Sequence, residues 1–123
     1  MTSNMDPANE QESANILYLY LTTIGRITGE PRQIEIWFVK FQGRFYVLAE
    51  HFHEAQWVKN ITRNPRVQVR VDADEFEATA RVLDEQRDEE MWQTAQRLSR
   101  EKYGWGEGLP VEIVREDSVK TDS

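Results

Sequence analysis

Two arginines, Arg26 and Arg32, flank a glycine-bearing stretch, Gly25-Arg26-Ile27-Thr28-Gly29-Glu30-Pro31-Arg32. Guanidinium groups and the backbone N–H groups of a tight turn suit the oxygens of a phosphate or carboxylate. Arginines on a hairpin also serve simply to solvate a surface, and the turn alone does not choose. A second group is Glu50-His51-Phe52-His53-Glu54, just ahead of a helical pattern. A helix N-terminus offers free N–H groups to an anion. A carboxylate at Glu54 is placed to satisfy that helix end itself and so compete with a phosphate. His51 and His53, with Glu50 and Glu54, are ligand types for zinc. The chain has no third histidine and no cysteine, so no metal centre is expected.

Aromatic residues supply a different chemistry. Trp57, with Asn60 three residues on, is either a wall of a ligand pocket or a core anchor for a short helix. Trp37 and Tyr46 carry the same pair of readings. Trp105 stands between Gly104 and Gly106, where it either closes over a flat ligand or covers the end of the domain. The sequence contains no cysteine nucleophile, no G-x-S-x-G elbow, no P-loop and no G-x-G-x-x-G fingerprint. Chemistry carried by a cofactor needs none of these, because the protein then supplies orientation and electrostatics.

These residues must be positioned by a small, mostly β framework. Leu17, Leu19 and Leu21 alternate with Tyr18, Tyr20 and Thr22, which predicts a strand from Asn15 to Thr23. Alternation continues from Arg32 to Phe41, with Ile34, Ile36 and Phe38 on one face. Further strands are expected over Arg44–Glu50, Arg66–Asp72, Glu75–Leu83 and Val111–Val114. The period changes at Ala55, Val58 and Ile61, so Glu54–Arg63 is expected to be a helix stopped by Asn64-Pro65. Met91, Ala95 and Leu98 mark a longer helix over Asp84–Lys102, with acids at its start and bases at its end. The expected architecture is mainly β (α+β): a split antiparallel β-barrel of about six strands with two helices.

At 123 residues the chain makes one domain, expected over 15–115, with a disordered lead over 1–14 and a disordered tail over 116–123. No apolar run approaches the roughly 18 residues of a membrane span, and the polar N-terminus lacks a signal-peptide core. Absence of cysteine suits a cytoplasmic location. The net charge of −7 argues against non-specific nucleic-acid binding. Acids concentrate between residues 72 and 90, whereas Arg26, Arg32, Lys40 and Arg44 cluster in the first half. That asymmetry fits a small anionic ligand. Tyr18, Tyr20, Trp37 and Val39 are expected on faces that one chain does not cover, which points to a homodimer.

The segment Leu21-Thr22-Thr23-Ile24-Gly25-Arg26-Ile27-Thr28-Gly29-Glu30-Pro31-Arg32, the strand pair after it and Trp57-Val58-Lys59-Asn60-Ile61-Thr62-Arg63-Asn64-Pro65-Arg66-Val67 together resemble a known family. They are similar to the split-barrel flavin and deazaflavin reductases, relatives of the pyridoxamine-phosphate oxidases, over roughly residues 17–83. The W-x-x-N-x-x-x-N-P spacing looks most like the deazaflavin-dependent branch. The resemblance implies an oxidoreductase that binds a deazaflavin coenzyme or FMN and passes hydride to a small electron-poor acceptor, a quinone or nitro compound. It implies cofactor contacts at Arg26, Thr28, Arg32, Glu50, His51, Trp57, Asn60 and Trp105. The chain departs from the family in its 50–54 loop, which is typically rich in glycine and serine. Its residues alone leave open a non-enzymatic small-ligand module on the same barrel.

Overall fold

A computed structural model describes residues 16–116; the lead over 1–14 and the tail beyond Glu116 lie outside the described residues. The strands are β1 (Tyr18–Ile24), β2 (Pro31–Trp37), β3 (Val39–Phe41), β4 (Arg44–Ala49), β5 (Arg66–Val71), β6 (Asp74–Val82) and β7 (Leu109–Arg115). The helices are α1 (Gln56–Arg63) and α2 (Glu89–Tyr103). All pairings are antiparallel, in one seven-stranded sheet ordered β2-β1-β5-β6-β7-β4-β3.

The strand expected from Arg32 to Phe41 is two strands, which raises the count from six to seven. It breaks at Phe38, and its halves are the opposite edges of the sheet. Edges joined through one residue force the sheet to curl on itself, and the result is the split barrel. The end of α2 secures this corner. The Phe38 N–H donates to the Tyr103 hydroxyl (3.0 Å), and the Phe38 carbonyl lies 2.7 Å from that hydroxyl and 3.1 Å from Lys102 Nζ. The same hydroxyl reaches the carbonyl of Leu17, at 2.5 Å. A hydroxyl has one proton. Lys102 already serves Phe38, so Tyr103 best donates to Leu17.

Strand alternation then sorts two cores. Leu19, Leu21, Phe45, Val47, Val69 and Ile113 fill the barrel. Tyr46, Leu48, Trp92, Ala95 and Leu109 pack in a second layer, between the sheet and α2. Val39 belongs to this second layer and is only 5% exposed, contrary to the expected open face. The break at Phe38 moves Val39 to the other sheet edge, under α2. Val58 and Ile61 of α1 enter the two cores.

Helix starts also differ from the periodicity. The Asp84 carboxylate accepts the N–H groups of Gln86 and Arg87, and that of Asp88 accepts Asp84 N–H. These bonds make a turn of residues 84–88, hold both carboxyls below their usual range and delay α2 to Glu89. Gly104, at φ 80°, ends α2 in the left-handed conformation that glycine tolerates best. Strand β7 runs longer than expected and includes Pro110, whose carbonyl accepts Leu83 N–H. Glu116, expected to begin the tail, is still bonded to Thr79.

Burial lowers the Lys102 ammonium from 10.5 to about 8. It raises the Tyr103 hydroxyl from 10.0 to about 12, against a smaller downward pull from its bond to Phe38. Between pH 8 and 10.5 the unfolded chain therefore holds a Lys102 proton that the folded chain has lost, and stability rises. Between pH 10 and 12 the folded chain keeps the Tyr103 proton that the unfolded chain releases, and stability falls. Urea unfolding against pH should show this corner's contribution peaking at about pH 10. Lys102→Met should flatten the rising limb and Tyr103→Phe lessen the falling one. At neutral pH, Tyr103→Phe should cost about 1–3 kcal/mol, because it leaves two backbone groups without their partner.

Candidate functional site

The β1–β2 turn closes on itself through Gly25 N–H to the Glu30 carbonyl and Gly29 N–H to the Gly25 carbonyl, both 2.8 Å. A Cβ on Gly25 would stand 2.9 Å from Thr28 Oγ1 and 3.2 Å from the Glu30 carbonyl, so glycine permits the tight packing. Arg26 then ties the turn to α1. Its backbone N–H and its guanidinium both donate to Asn60 Oδ1, at 3.1 and 3.0 Å, and the guanidinium also donates to Gln56 Oε1 at 2.9 Å. Asn60 Nδ2 donates to Thr23 Oγ1 at 3.1 Å, with both residues buried. Asn60 is thus the post that holds Arg26, with its oxygen and one N–H spent inside the chain.

Arg32 lies opposite Thr23 in the β1–β2 register and is exposed. Among the described residues no hydrogen bond or ion pair holds its side chain. Thr28 is exposed at the turn, where its hydroxyl accepts the Glu30 N–H. Three residues with oxygen-binding side chains, Arg26 and Thr28 on the turn and Arg32 at the start of β2, therefore stand at one hairpin end, with Arg26 against the first turn of α1.

Glu50 and His51 are exposed in the loop that leads to α1. Phe52 adopts a φ of 53°, unusual for a residue with a side chain. Residues 52–54 form a single 3-10 turn, so α1 starts at Gln56 rather than Glu54. Glu54 does not cap the helix as expected. Its carboxylate lies 3.9 Å from Lys59 Nζ in an exposed pair, Ala55 takes the N-cap position, and no side chain caps α1. The chain turns before Glu54 can reach the first N–H groups.

The aromatic residues gather at the other end of this loop. Trp37 stacks on Tyr103, with ring centroids 4.4 Å apart, and meets Trp105 edge-on at 6.4 Å. Trp37 remains 46% exposed. Trp37 and Trp105 border a hollow of about 10 Å³ that Val39, Tyr46 and Leu48 also line, room for about one water. The Trp105 carbonyl accepts the Ser99 hydroxyl at 2.6 Å. A Cβ on Gly108 would stand 2.8 Å from both the Trp105 ring and the Ala49 carbonyl, which puts Trp105 beside the end of β4. Trp57 packs against both cores. The structure thus groups Arg26, Thr28, Arg32 and Asn60 at one end of the 50–55 loop, and Trp105 with Trp37 at the other.

Two polar arrangements escaped the sequence analysis. Gln56 reads as an ordinary polar residue until Arg26 is seen on it. Glu112, 5% exposed on β7, accepts the Tyr46 hydroxyl at 2.8 Å, Arg44 at 3.1 Å and Arg81 at 3.3 Å. Burial and this carboxylate raise the Tyr46 hydroxyl well above its usual range. An acid between the apolar residues Val111 and Ile113 was the available signal, since a buried charge needs partners. Among the described residues, no cluster of three histidines or acids is placed to hold a metal.

Residues 8–116 match the model of the F420H(2)-dependent quinone reductase family. Several solved structures share the fold. The heme storage protein HutZ from Vibrio cholerae aligns with 20% identity over 90% of this chain and 89% of its own, at a TM-score of 0.70. An F420-H2 dependent reductase, FDR-A, aligns with 24% identity over 80% and 93%, at 0.61. A candidate pyridoxamine 5′-phosphate oxidase from Listeria innocua aligns with 18% identity over 91% and 94%, at 0.63.

The Arg26–Asn60–Thr23 clamp can be tested by stability. Asn60→Ala strands buried polar groups and should cost about 1–3 kcal/mol in chemical denaturation. Asn60→Asp keeps an acceptor, now charged, for Arg26, and the Thr23 hydroxyl can turn to donate to it. It should therefore lose less than Asn60→Ala at neutral pH. Equal losses would mean that Arg26 is not held through this oxygen.

Proposed function

The chain belongs to the F420H(2)-dependent quinone reductase family, and we propose that it binds a deazaflavin coenzyme, with FMN the alternative, and passes hydride to a quinone-type acceptor. It is an oxidoreductase of the flavin and deazaflavin class. The observation that carries the reading is the family match over residues 8–116. The donor set fits a flat, phosphate-bearing group. Among the described residues the Arg32 side chain has no hydrogen-bond or ion-pair partner and no side chain caps the helix start against which Arg26 is fixed, and exposed Trp37 with Trp105 offers flat walls.

When bound, such a coenzyme supplies the transferable hydride. The chain's own residues bind and orient. Arg32 and Thr28 take phosphate oxygens, and Arg26, held by Asn60 and Gln56, adds positive charge beside them. Glu50 and His51 border the ring system from the loop, with Trp57 fixed in the core behind them. Trp105 and Trp37 give the acceptor side a flat apolar wall. The active species is a homodimer, and a chain without cysteine suits the reducing cytoplasm. Among the described residues no helix is long and apolar enough to cross a membrane.

A non-enzymatic ligand carrier on the same barrel is the second reading. The exposed pair His51 and His53, on either side of exposed Phe52, favours it. Titration separates the two. Coenzyme F420 and FMN should change protein fluorescence on binding, and hemin should produce no histidine-dependent Soret shift. Arg32→Ala should weaken coenzyme binding about ten- to a hundredfold, the loss of one charge-assisted contact. Undiminished affinity would remove Arg32 from the site. A Soret band that His51→Ala abolishes, with no coenzyme binding, would replace the first reading by the second.

A further inference from the structure

Apart from Trp37, on which Tyr103 at the end of α2 stacks, the outer face of β2, β1 and β5 carries exposed or half-exposed residues, and they form rows across the strands. One row is Glu35, Tyr20 and Arg70, in register from β2 through β1 to β5. The next begins with Trp37 and Tyr18, 46% and 39% exposed. Tyr18 meets Tyr20 edge-on at 5.9 Å, and the Arg70 guanidinium lies 4.2 Å from the centre of the Tyr20 ring. Arg70 also donates to the Asp72 carbonyl at 3.3 Å, which fixes it over the ring. Among the described residues neither Glu35 nor Arg70 has an ion-pair partner. The face therefore carries exposed aromatic surface with an acid on one side of Tyr20 and a base on the other.

We propose that a second copy of this chain docks on this face, related by a two-fold axis that runs along β1. This rests on the homodimer reading above and names its surface. Rotation about such an axis places Tyr20 against the partner's Tyr20. It exchanges the flanks, so Glu35 faces the partner's Arg70 and Arg70 faces the partner's Glu35. The row is self-complementary under that rotation, as an isologous contact requires. The charges match only in this register, while the aromatic residues supply the apolar area. The contact covers the part of Trp37 that faces this row and leaves its side toward Trp105 to the acceptor. The Trp37 ring also borders the Trp105 hollow, so the partner copy closes the outer side of that hollow.

Sedimentation velocity on the full chain tests the arrangement. Wild type should sediment as a dimer. Glu35→Arg and Arg70→Glu should each weaken association by more than about tenfold, because each sets like charges face to face. The double variant E35R/R70E restores opposite charges and should return the dimer. Circular dichroism should show all three variants folded, since both residues are on the outer face. A wild-type monomer at the highest soluble concentration overturns the proposal, as do single variants that dimerise like wild type or a double variant that does not recover. Coenzyme titration of the same samples keeps the readings apart. A dimer that binds no deazaflavin or FMN refutes the functional reading and leaves this interface standing, and a monomer that binds one does the reverse.

Discussion

The fold depends on one residue being a corner for two strands. Phe38 separates β2 from β3, and those strands are the two edges of the sheet. The curl that brings the edges together leaves the Phe38 backbone without ladder partners on both sides at once. The Tyr103 hydroxyl and the Lys102 ammonium meet it there. Because both groups come from the last turn of α2, the helix and the barrel closure are one cooperative unit. Gly104 ends the helix directly afterwards, so the register of α2 sets where the hydroxyl arrives.

That constraint propagates to the site. The stack of Trp37 on Tyr103 is a consequence of the corner, since Trp37 is the residue before it and Tyr103 the residue that holds it. The aromatic end of the site is therefore anchored through α2, whereas the cationic end is anchored through α1 by Arg26 and Asn60. Only the 50–55 loop joins the two ends along the chain from β4. In the proposed site, a helix-anchored group at each end of an exposed connection would be rigid where orientation matters and open where a ligand enters.

Much of this was legible in the sequence where a pattern is local. Alternation located the strands, and Asn64-Pro65 marked the end of α1 because proline acts on its neighbour. The turn motif named Arg26, Thr28 and Arg32, and these residues do stand at one hairpin end, Arg32 at the start of β2. The rest depended on contacts distant in sequence. Unbroken alternation from Arg32 to Phe41 concealed the break at Phe38, since a strand that changes edge keeps its period. The covered side of Val39 followed from that same break. Acids at 84–88 looked like a helix start, but their carboxylates bond to nearby backbone and make a turn instead. Tyr103 fell just beyond the expected helix over Asp84–Lys102, and only its reach to Leu17 and Phe38 reveals its role.

The clamp also clarifies how two arginines of one hairpin end differ. Arg26 has both terminal nitrogens engaged with Asn60 and Gln56, so its geometry is set before any ligand arrives. A group already oriented loses little side-chain entropy on binding, but it has fewer donors left to offer. Arg32 is the reverse: all its donors remain, and its ordering must be met by the ligand. An anion that bridges them would use Arg26 for position and charge and Arg32 for new hydrogen bonds. Affinity should then depend most on Arg32, while the pose depends on Asn60, which fixes Arg26.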